Sequence, residues 1–158
     1  MSTVASSPPD LAAPGAAPPR LLFACSPDGN RSLLAAALLA HLAGASLEVA
    51  WARSKTPCIH PFTLAVLNER GVSADAPRAC LSDAVPETFD LLIELGSPAE
   101  PPLAGRWQGH HTLRWTLANP AQAGSGGPPS LQAFRYARDD LERRAWRLLQ
   151  HAEQIQFG

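Results

Sequence analysis

The sequence carries almost no net charge. Thirteen Lys and Arg stand against fourteen Asp and Glu, a formal charge of -1 over 158 residues. That excludes the strongly basic surface by which a domain holds nucleic acid. No apolar run approaches the ~20 residues of a membrane-spanning helix, which excludes a membrane partner of that kind. Cysteine is scarce: Cys25, Cys58 and Cys80 are the only three. An odd count at irregular spacing argues against a secreted disulfide framework and points to the reducing cytoplasm. The first 19 residues are Ala, Pro and Ser with almost no charge. Pro8, Pro9, Pro14, Pro18 and Pro19 interrupt the unbroken apolar stretch that a secretory signal needs. This composition cannot bury enough surface to offset chain entropy, so residues 1–19 read as a disordered tail and residues 20–158 as one domain.

Order is expected from Leu21-Leu22-Phe23-Ala24, a short apolar run that fits a buried strand. A turn-rich segment, Ser26 to Asn30, follows. Ser32 to Ala43 is nearly all Leu and Ala, the strongest helix formers, and Gly44 stops it. Leu47 to Ala52 reads as a second strand. Pro61 opens a second helix at a position where its missing N–H costs nothing, and Gly71 ends it. Phe89 to Leu95 carries consecutive large apolar residues and reads as a central strand. His111 to Trp115 reads as a weaker fourth strand, with His110 and His111 at its start. After a Gly/Pro/Ser-rich loop, Ser130 caps the last helix, in which Leu131, Phe134, Leu141, Ala145, Leu148 and Ala152 share a face. The alternation predicts an α/β three-layer sandwich on a four-stranded parallel sheet.

The segment Cys25-Ser26-Pro27-Asp28-Gly29-Asn30-Arg31-Ser32 lies between the first strand and the first helix. In open α/β sheets, ligands bind at the carboxyl ends of strands, close to helix N-termini. A helix N-terminus offers free N–H groups and partial positive charge, which attract oxyanions. Arg31 adds a planar fork of donors that matches two oxygens of a tetrahedral anion. The same field favours the thiolate of Cys25, whose pKa in such settings falls to roughly 3.5–7.5. Ser32 is placed to hydrogen-bond the sulfur. Cys25 alone would read as a small buried hydrophobe ending a strand; Arg31 and Ser32 turn the reading toward an anion site.

These residues carry a resemblance. LLFACSPDGNRSLLAAALL resembles the low-molecular-weight protein tyrosine phosphatases and the arsenate reductases that share their fold, whose loop reads C-x-G-N-x-x-R-S. ARSKTPCIHPFTLAVLNERGV is similar to their second loop and helix, and FDLLIEL to their F-D-x-V-I-T strand. LANPAQAGS with LQAFRYARDDLERR resembles the ending of the arsenate reductase branch. The resemblance spans about residues 20 to 150. It implies a Cys25 nucleophile acting on arsenate, inorganic phosphate or a phosphorylated substrate. It implies an anion-binding loop of Ser26, Pro27, Asp28, Gly29, Asn30 and Arg31, with Ser32 supporting the thiolate and Asn119 at the place of the general acid. It implies no metal and no tightly bound cofactor. An external thiol such as glutathione or mycothiol would serve as reductant.

Four positions depart from the family pattern. Pro27 replaces a Gly and removes one N–H from the cradle. Asp28 replaces an Asn; if ionised about 6 Å from the sulfur, it opposes the thiolate by roughly 3 kcal/mol at an effective dielectric of 20. Alternatively, Asp28 turns away and caps the turn. Asn119, before Pro120, replaces the Asp that donates a proton, a contribution typically of about 10²–10⁴-fold. Asp28, Asp139 and Asp140 are the substitutes to consider. Finally, no thiol follows the third strand at Leu95-Gly96-Ser97-Pro98, where the thioredoxin-coupled enzymes carry their second Cys. Together these departures motivate a second reading, a catalytically silent relative that binds or senses an oxyanion or a partner protein. Elsewhere, Cys58-Ile59-His60 lacks the four ligands of a zinc site and reads as a loop. Trp107 and Trp115 would line the mouth of the site or pack in the core. Arg135, Arg138, Arg143 and Arg144 among Asp139, Asp140 and Glu142 read as a solvated helix face.

Overall fold

A computed structural model describes residues 17–26, 28–53, 58–81, 87–100, 107–122 and 128–151. The apolar run after Pro19 forms β1, Arg20–Ala24, whose last four residues are buried. It is flanked on both sides by parallel neighbours: β2, Glu48–Arg53, and β4, Thr88–Gly96. Beyond β2 lies β3, Arg78–Leu81, and beyond β4 lies β5, Gln108–Thr116. The sheet order is β3-β2-β1-β4-β5, all parallel. The chain therefore builds outward from β1 in one direction, then returns and builds outward in the other. That reversal opens a crevice at the carboxyl ends of β1 and β4, the usual ligand position in such sheets.

Alternate residues of the strands feed two cores. Leu21 and Phe23 of β1, Val49 and Trp51 of β2, and Leu91, Ile93 and Leu95 of β4 pack with all three described helices. These are α1, Asn30–Ala43; α2, Pro61–Glu69; and α3, Leu131–Gln150. The opposite parity, Leu22, Ala24, Ala50, Cys80 and Leu92, joins Phe89 in a second cluster against which Trp107 packs. In α1, Leu and Ala occupy every side, and ten of its fourteen residues are buried. α2 begins with Pro61, and the His60 ring accepts from the Phe62 N–H at 3.0 Å. α3 begins after Ser130, whose hydroxyl accepts from the Ala133 N–H at 3.0 Å.

The α/β class and parallel sheet agree with the sequence expectation, and the sheet has five strands rather than four. Arg78-Ala79-Cys80-Leu81 has no β-branched or aromatic residue to announce a strand; pairing with β2 makes it one. The three described helices share one face of the sheet, and no second helical layer occurs among the described residues. Arg138 is another correction. It is not solvated but 6% exposed, because its guanidinium crosses to α2, donating to Val66 O at 3.1 Å and Glu69 Oε1 at 2.6 Å. Burying a guanidinium is tolerated when every donor has such a partner. The expected tail, except residues 17–19, and Ala152 lie outside the described residues. No described helix is long and apolar enough to cross a membrane.

Candidate anion site at the first loop

β1 ends at Ala24, and Cys25 follows it into the loop that enters α1. Gly29 is the N-cap of α1 with φ 86°, in the left-handed region. A Cβ there would lie 3.1 Å from the Trp51 ring, so glycine is required twice over, by φ and by space. Asp28 Oδ1 accepts from the Asn30 N–H at 2.9 Å. This is the local capping bond, one of the two expectations for Asp28. Asn30, fully buried, ties the loop to α2: its Oδ1 accepts from His60 N at 2.9 Å and Thr63 Oγ1 at 2.6 Å, and its Nδ2 donates to Cys58 O at 3.1 Å. The loop is therefore pinned from beneath. Ser26 is exposed at its rim; Pro27 lies outside the described residues.

The Cys25 thiol donates to Ser32 Oγ at 3.2 Å, and the Ser32 N–H points at the sulfur at 3.3 Å. Ser32 Oγ in turn donates to Gly29 O at 3.0 Å. The pull toward a thiolate expected at this position is present but opposed. Burial pushes the thiol up, and this outweighs the lowering by the Ser32 hydroxyl and N–H and by the Arg31 charge; the Asp28 charge pushes it further up. Three stabilisers of the Cys25 anion, the Ser32 hydroxyl, the Ser32 N–H and Arg31, thus stand against burial and the Asp28 charge.

Arg31 is the largest fully buried side chain, with none of its surface exposed. Both ends of its fork are taken. Nη1 donates to Glu100 Oε1 at 2.7 Å and Leu117 O at 2.9 Å; Nη2 donates to Glu100 Oε2 at 2.9 Å and Ser26 O at 2.6 Å. Glu100 also accepts from the Ser97 N–H at 2.6 Å. Arg31 holds the Glu100 carboxyl down at about 2. One donor is left over: Arg31 Nε is buried without a hydrogen-bond partner among the described residues. A buried donor without a partner is costly and rare in a folded protein, and it calls for an acceptor.

Asn119 is buried on the far wall of the loop. Its Nδ2 donates to Asp28 Oδ2 at 2.9 Å, and its Oδ1 accepts from Ala121 N at 3.0 Å. The structure thus brings together Cys25, Ser26, Asp28, Gly29, Asn30, Arg31, Ser32 and Asn119. Asp139 and Asp140 line a cavity together with Asn119 and Pro120, where they are held in ion pairs with Arg70 and Arg138, and with Arg144, respectively. Trp115 packs on Phe23 at 5.6 Å and Trp107 on the second cluster, so both follow the core-packing reading. Cys58 is exposed beside Asn30, and Cys80 is buried in the sheet. Sequence reasoning missed Glu100, Trp51 and Thr63. The only signal for Glu100 was its place just after β4, where the missing thiol was sought.

No family model matches the sequence, and no curated protein does. Solved structures do match. A thioredoxin-dependent arsenate reductase of Corynebacterium glutamicum is 27% identical, with 90% of this chain and 65% of that one covered and a TM-score of 0.59. The present chain thus spans about two thirds of that protein's length, 65%. An arsenate reductase in its phosphate-binding state is 20% identical over 85% of this chain and 98% of its own, with a TM-score of 0.64. A tyrosine phosphatase of Erwinia amylovora is 21% identical over 89% and 97%, with a TM-score of 0.57. The last two show the shared fold, and the first adds sequence identity over 90% of this chain. With the Cys25-to-Ser32 loop between β1 and α1 and the parallel sheet beneath it, the chain shares the fold of the arsenate reductases and low-molecular-weight protein tyrosine phosphatases and is similar in sequence to one of the former.

Proposed function

We propose that this protein takes a tetrahedral oxyanion, arsenate or a phosphoryl group, into the Cys25-to-Ser32 loop and attacks it with the Cys25 sulfur. The observation that carries this reading is the buried Nε–H of Arg31, which has no partner among the described residues. With both Nη groups committed, the guanidinium meets an oxyanion by its Nε edge, and the N-terminus of α1 supplies dipole and N–H donors. The site also provides for the sulfur: the Ser32 N–H and hydroxyl already lie at 3.3 and 3.2 Å.

With arsenate, an S–As bond forms and one As–O bond breaks, its oxygen leaving as water. The described segment after β4 carries no thiol, so an external thiol of the glutathione or mycothiol class completes the reduction. Its sulfur attacks Cys25 Sγ, the S–As electron pair passes to arsenic, arsenite leaves, and a second thiol reduces the mixed disulfide. With a phosphate monoester, the S–P bond is hydrolysed instead. A cytoplasmic setting, with its thiol pool, suits this chemistry.

A second reading, a silent oxyanion binder, draws on one observation. Two internal carboxylates already sit on the anion donors, Asp28 on the Asn30 N–H and Glu100 on Arg31. The two readings separate in one experiment. Arsenate reduction with external thiols and aryl phosphate hydrolysis are measured for the native chain and Cys25→Ser, beside phosphate binding by calorimetry. Turnover lost in Cys25→Ser supports the enzyme. Phosphate binding without turnover supports the binder. Neither binding nor turnover rejects both.

A further inference from the structure

A thiol-based transfer needs a group that gives a proton to the departing oxygen. Arg31 keeps its proton in any protein. Glu100 is locked by Arg31. Glu94 pairs with Arg114. The His60 ring caps α2 and lies against Phe62 and Phe134 at 4.7 and 5.0 Å. Ser32 hydrogen-bonds Gly29 O, and the amide of Asn119 has no proton to give. Asp139 and Asp140, which share a cavity with Asn119, are paired with Arg70, Arg138 and Arg144. Among the described residues there remains the carboxyl of Asp28, which belongs to the nucleophile's own loop. It is half-buried and is held by Asn119 Nδ2 at 2.9 Å and by the Asn30 N–H at 2.9 Å.

We infer that Asp28 is the proton donor of the transfer step, and that Asn119 is the positioning residue that holds it, so that the carboxylate and amide of this pair have exchanged sides relative to the expected arrangement. The inference rests on the proposed thiol chemistry at Cys25. The hydrogen bonds explain why such an exchange is tolerated. Position 28 needs one oxygen for the Asn30 N–H, and position 119 needs one oxygen for the Ala121 N–H. Between them runs a single N–H···O bond. Asp at 28 with Asn at 119 satisfies all three, and so does the reverse. Two carboxylates would repel, and two amides could not serve both N–H groups and also pair without one acceptor being shared.

The charges also fit. The Asp28 charge opposes the anion of Cys25. A neutral thiol beside a carboxylate, and a thiolate beside a carboxylic acid, hold the same number of protons. Moving one proton from Cys25 to Asp28 therefore reaches the reactive form with no net charge change. The thiolate then attacks phosphorus and the S–P bond forms. The P–O bond breaks, and the leaving oxygen takes the Asp28 proton. Water attacks the thiophosphate next, returning a proton to the Asp28 carboxylate and releasing inorganic phosphate and the thiolate.

The test compares the native chain, Asp28→Asn, and the double variant Asp28→Asn with Asn119→Asp. Each is assayed with an aryl phosphate that has an acidic leaving group and an alkyl phosphate that has a basic one. Asp28→Asn should slow the alkyl substrate by about 10²–10⁴-fold and the aryl substrate by less than about tenfold, because an acidic alcohol departs without a proton. The double variant keeps every hydrogen bond and should recover the alkyl rate to within about tenfold of native. A readout that needs no turnover accompanies this: the pH midpoint of Cys25 alkylation should fall in Asp28→Asn. Equal losses on both substrates, an unmoved midpoint, or no recovery in the folded double variant overturns the assignment. Absence of any Cys25-dependent turnover in the native chain overturns the proposed chemistry itself, and the assignment with it.

Discussion

The two faces of the sheet each hold a cysteine, an arginine and a glutamate, and they use them differently. On the helical face, Cys25 hydrogen-bonds a hydroxyl and a helix N–H, and the arginine is fully buried. On the other face, Cys80 donates to Glu87 Oε2 at 3.1 Å, and Glu87 pairs with Arg20 and Arg78, which are well exposed. Burial pushes both thiols up. The partners then diverge. Ser32 and Arg31 pull Cys25 back, whereas the Glu87 carboxylate drives Cys80 further, to about 11. Burial alone thus makes an inert thiol; a nucleophile needs donors aimed at the sulfur and a cation close by. The same contrast separates the arginines. Arg20 is half-exposed, paired with surface glutamates while lying over the Phe89 ring, and Arg31 faces a loop with one donor unpartnered among the described residues.

The largest expected effect tests the two arginines. Arg31→Met removes the cation from a buried pair and leaves Leu117 O and Ser26 O without their donor. It should cost about 3–5 kcal/mol in urea unfolding. Arg20→Met, removing an exposed pair, should cost less than about 1 kcal/mol. Equal costs would erase the distinction between the faces.

Gly29→Ala comes next. The left-handed φ and the Trp51 ring at 3.1 Å both oppose a Cβ. A loss of about 1–2 kcal/mol is expected in the same assay, along with weakened phosphate binding. A neutral result would mean that the loop is not held by Gly29 and Trp51.

The pH dependence comes third. The Glu100 carboxyl is depressed from 4.5 to about 2 by Arg31. A depressed acid contributes stability that is fully present above its unfolded value and is lost as pH falls through the folded one. In Glu100→Gln, the acid-induced loss of stability between about pH 4.5 and 2 should therefore be shallower than in the native chain. Parallel curves would show that the Arg31 pair does not depend on this carboxylate.

The smallest effect concerns Cys80. Cys80→Ala should leave phosphate binding and the pH profile of Cys25 alkylation unchanged, since its partners belong to the other face. A change in either would join two regions that the sheet separates.

Much of this was legible in the sequence, for local reasons. β1, α1 and the loop between them announce themselves through an apolar run, a Leu/Ala block, and Cys, Arg and Ser at fixed spacing. Those residues are near neighbours in the chain, and the loop turning at Gly29 into the first turn of α1 brings Ser32 back to Cys25. What was illegible comes from far along the chain. Glu100 lies 69 residues from Arg31 and Asn119 lies 91 residues from Asp28, and only the meeting of β1, β4 and β5 joins them. Asp28 and Asn119 were visible as two separate departures. That they touch, and so compensate each other, needed the fold. β3 escaped because its four residues carry no strand propensity, and Arg138 because a charged side chain gives no hint in sequence of a carbonyl waiting on another helix.

The central claim is that the first loop is an oxyanion site with Cys25 at its centre. Its most direct test is the alkylation rate of Cys25, followed by mass spectrometry, as inorganic phosphate or arsenate is added at constant ionic strength. Cys58 is exposed and serves as the internal control. The account predicts that modification of Cys25 slows saturably while that of Cys58 does not change. Equal rates at Cys25 with and without the oxyanion would contradict it.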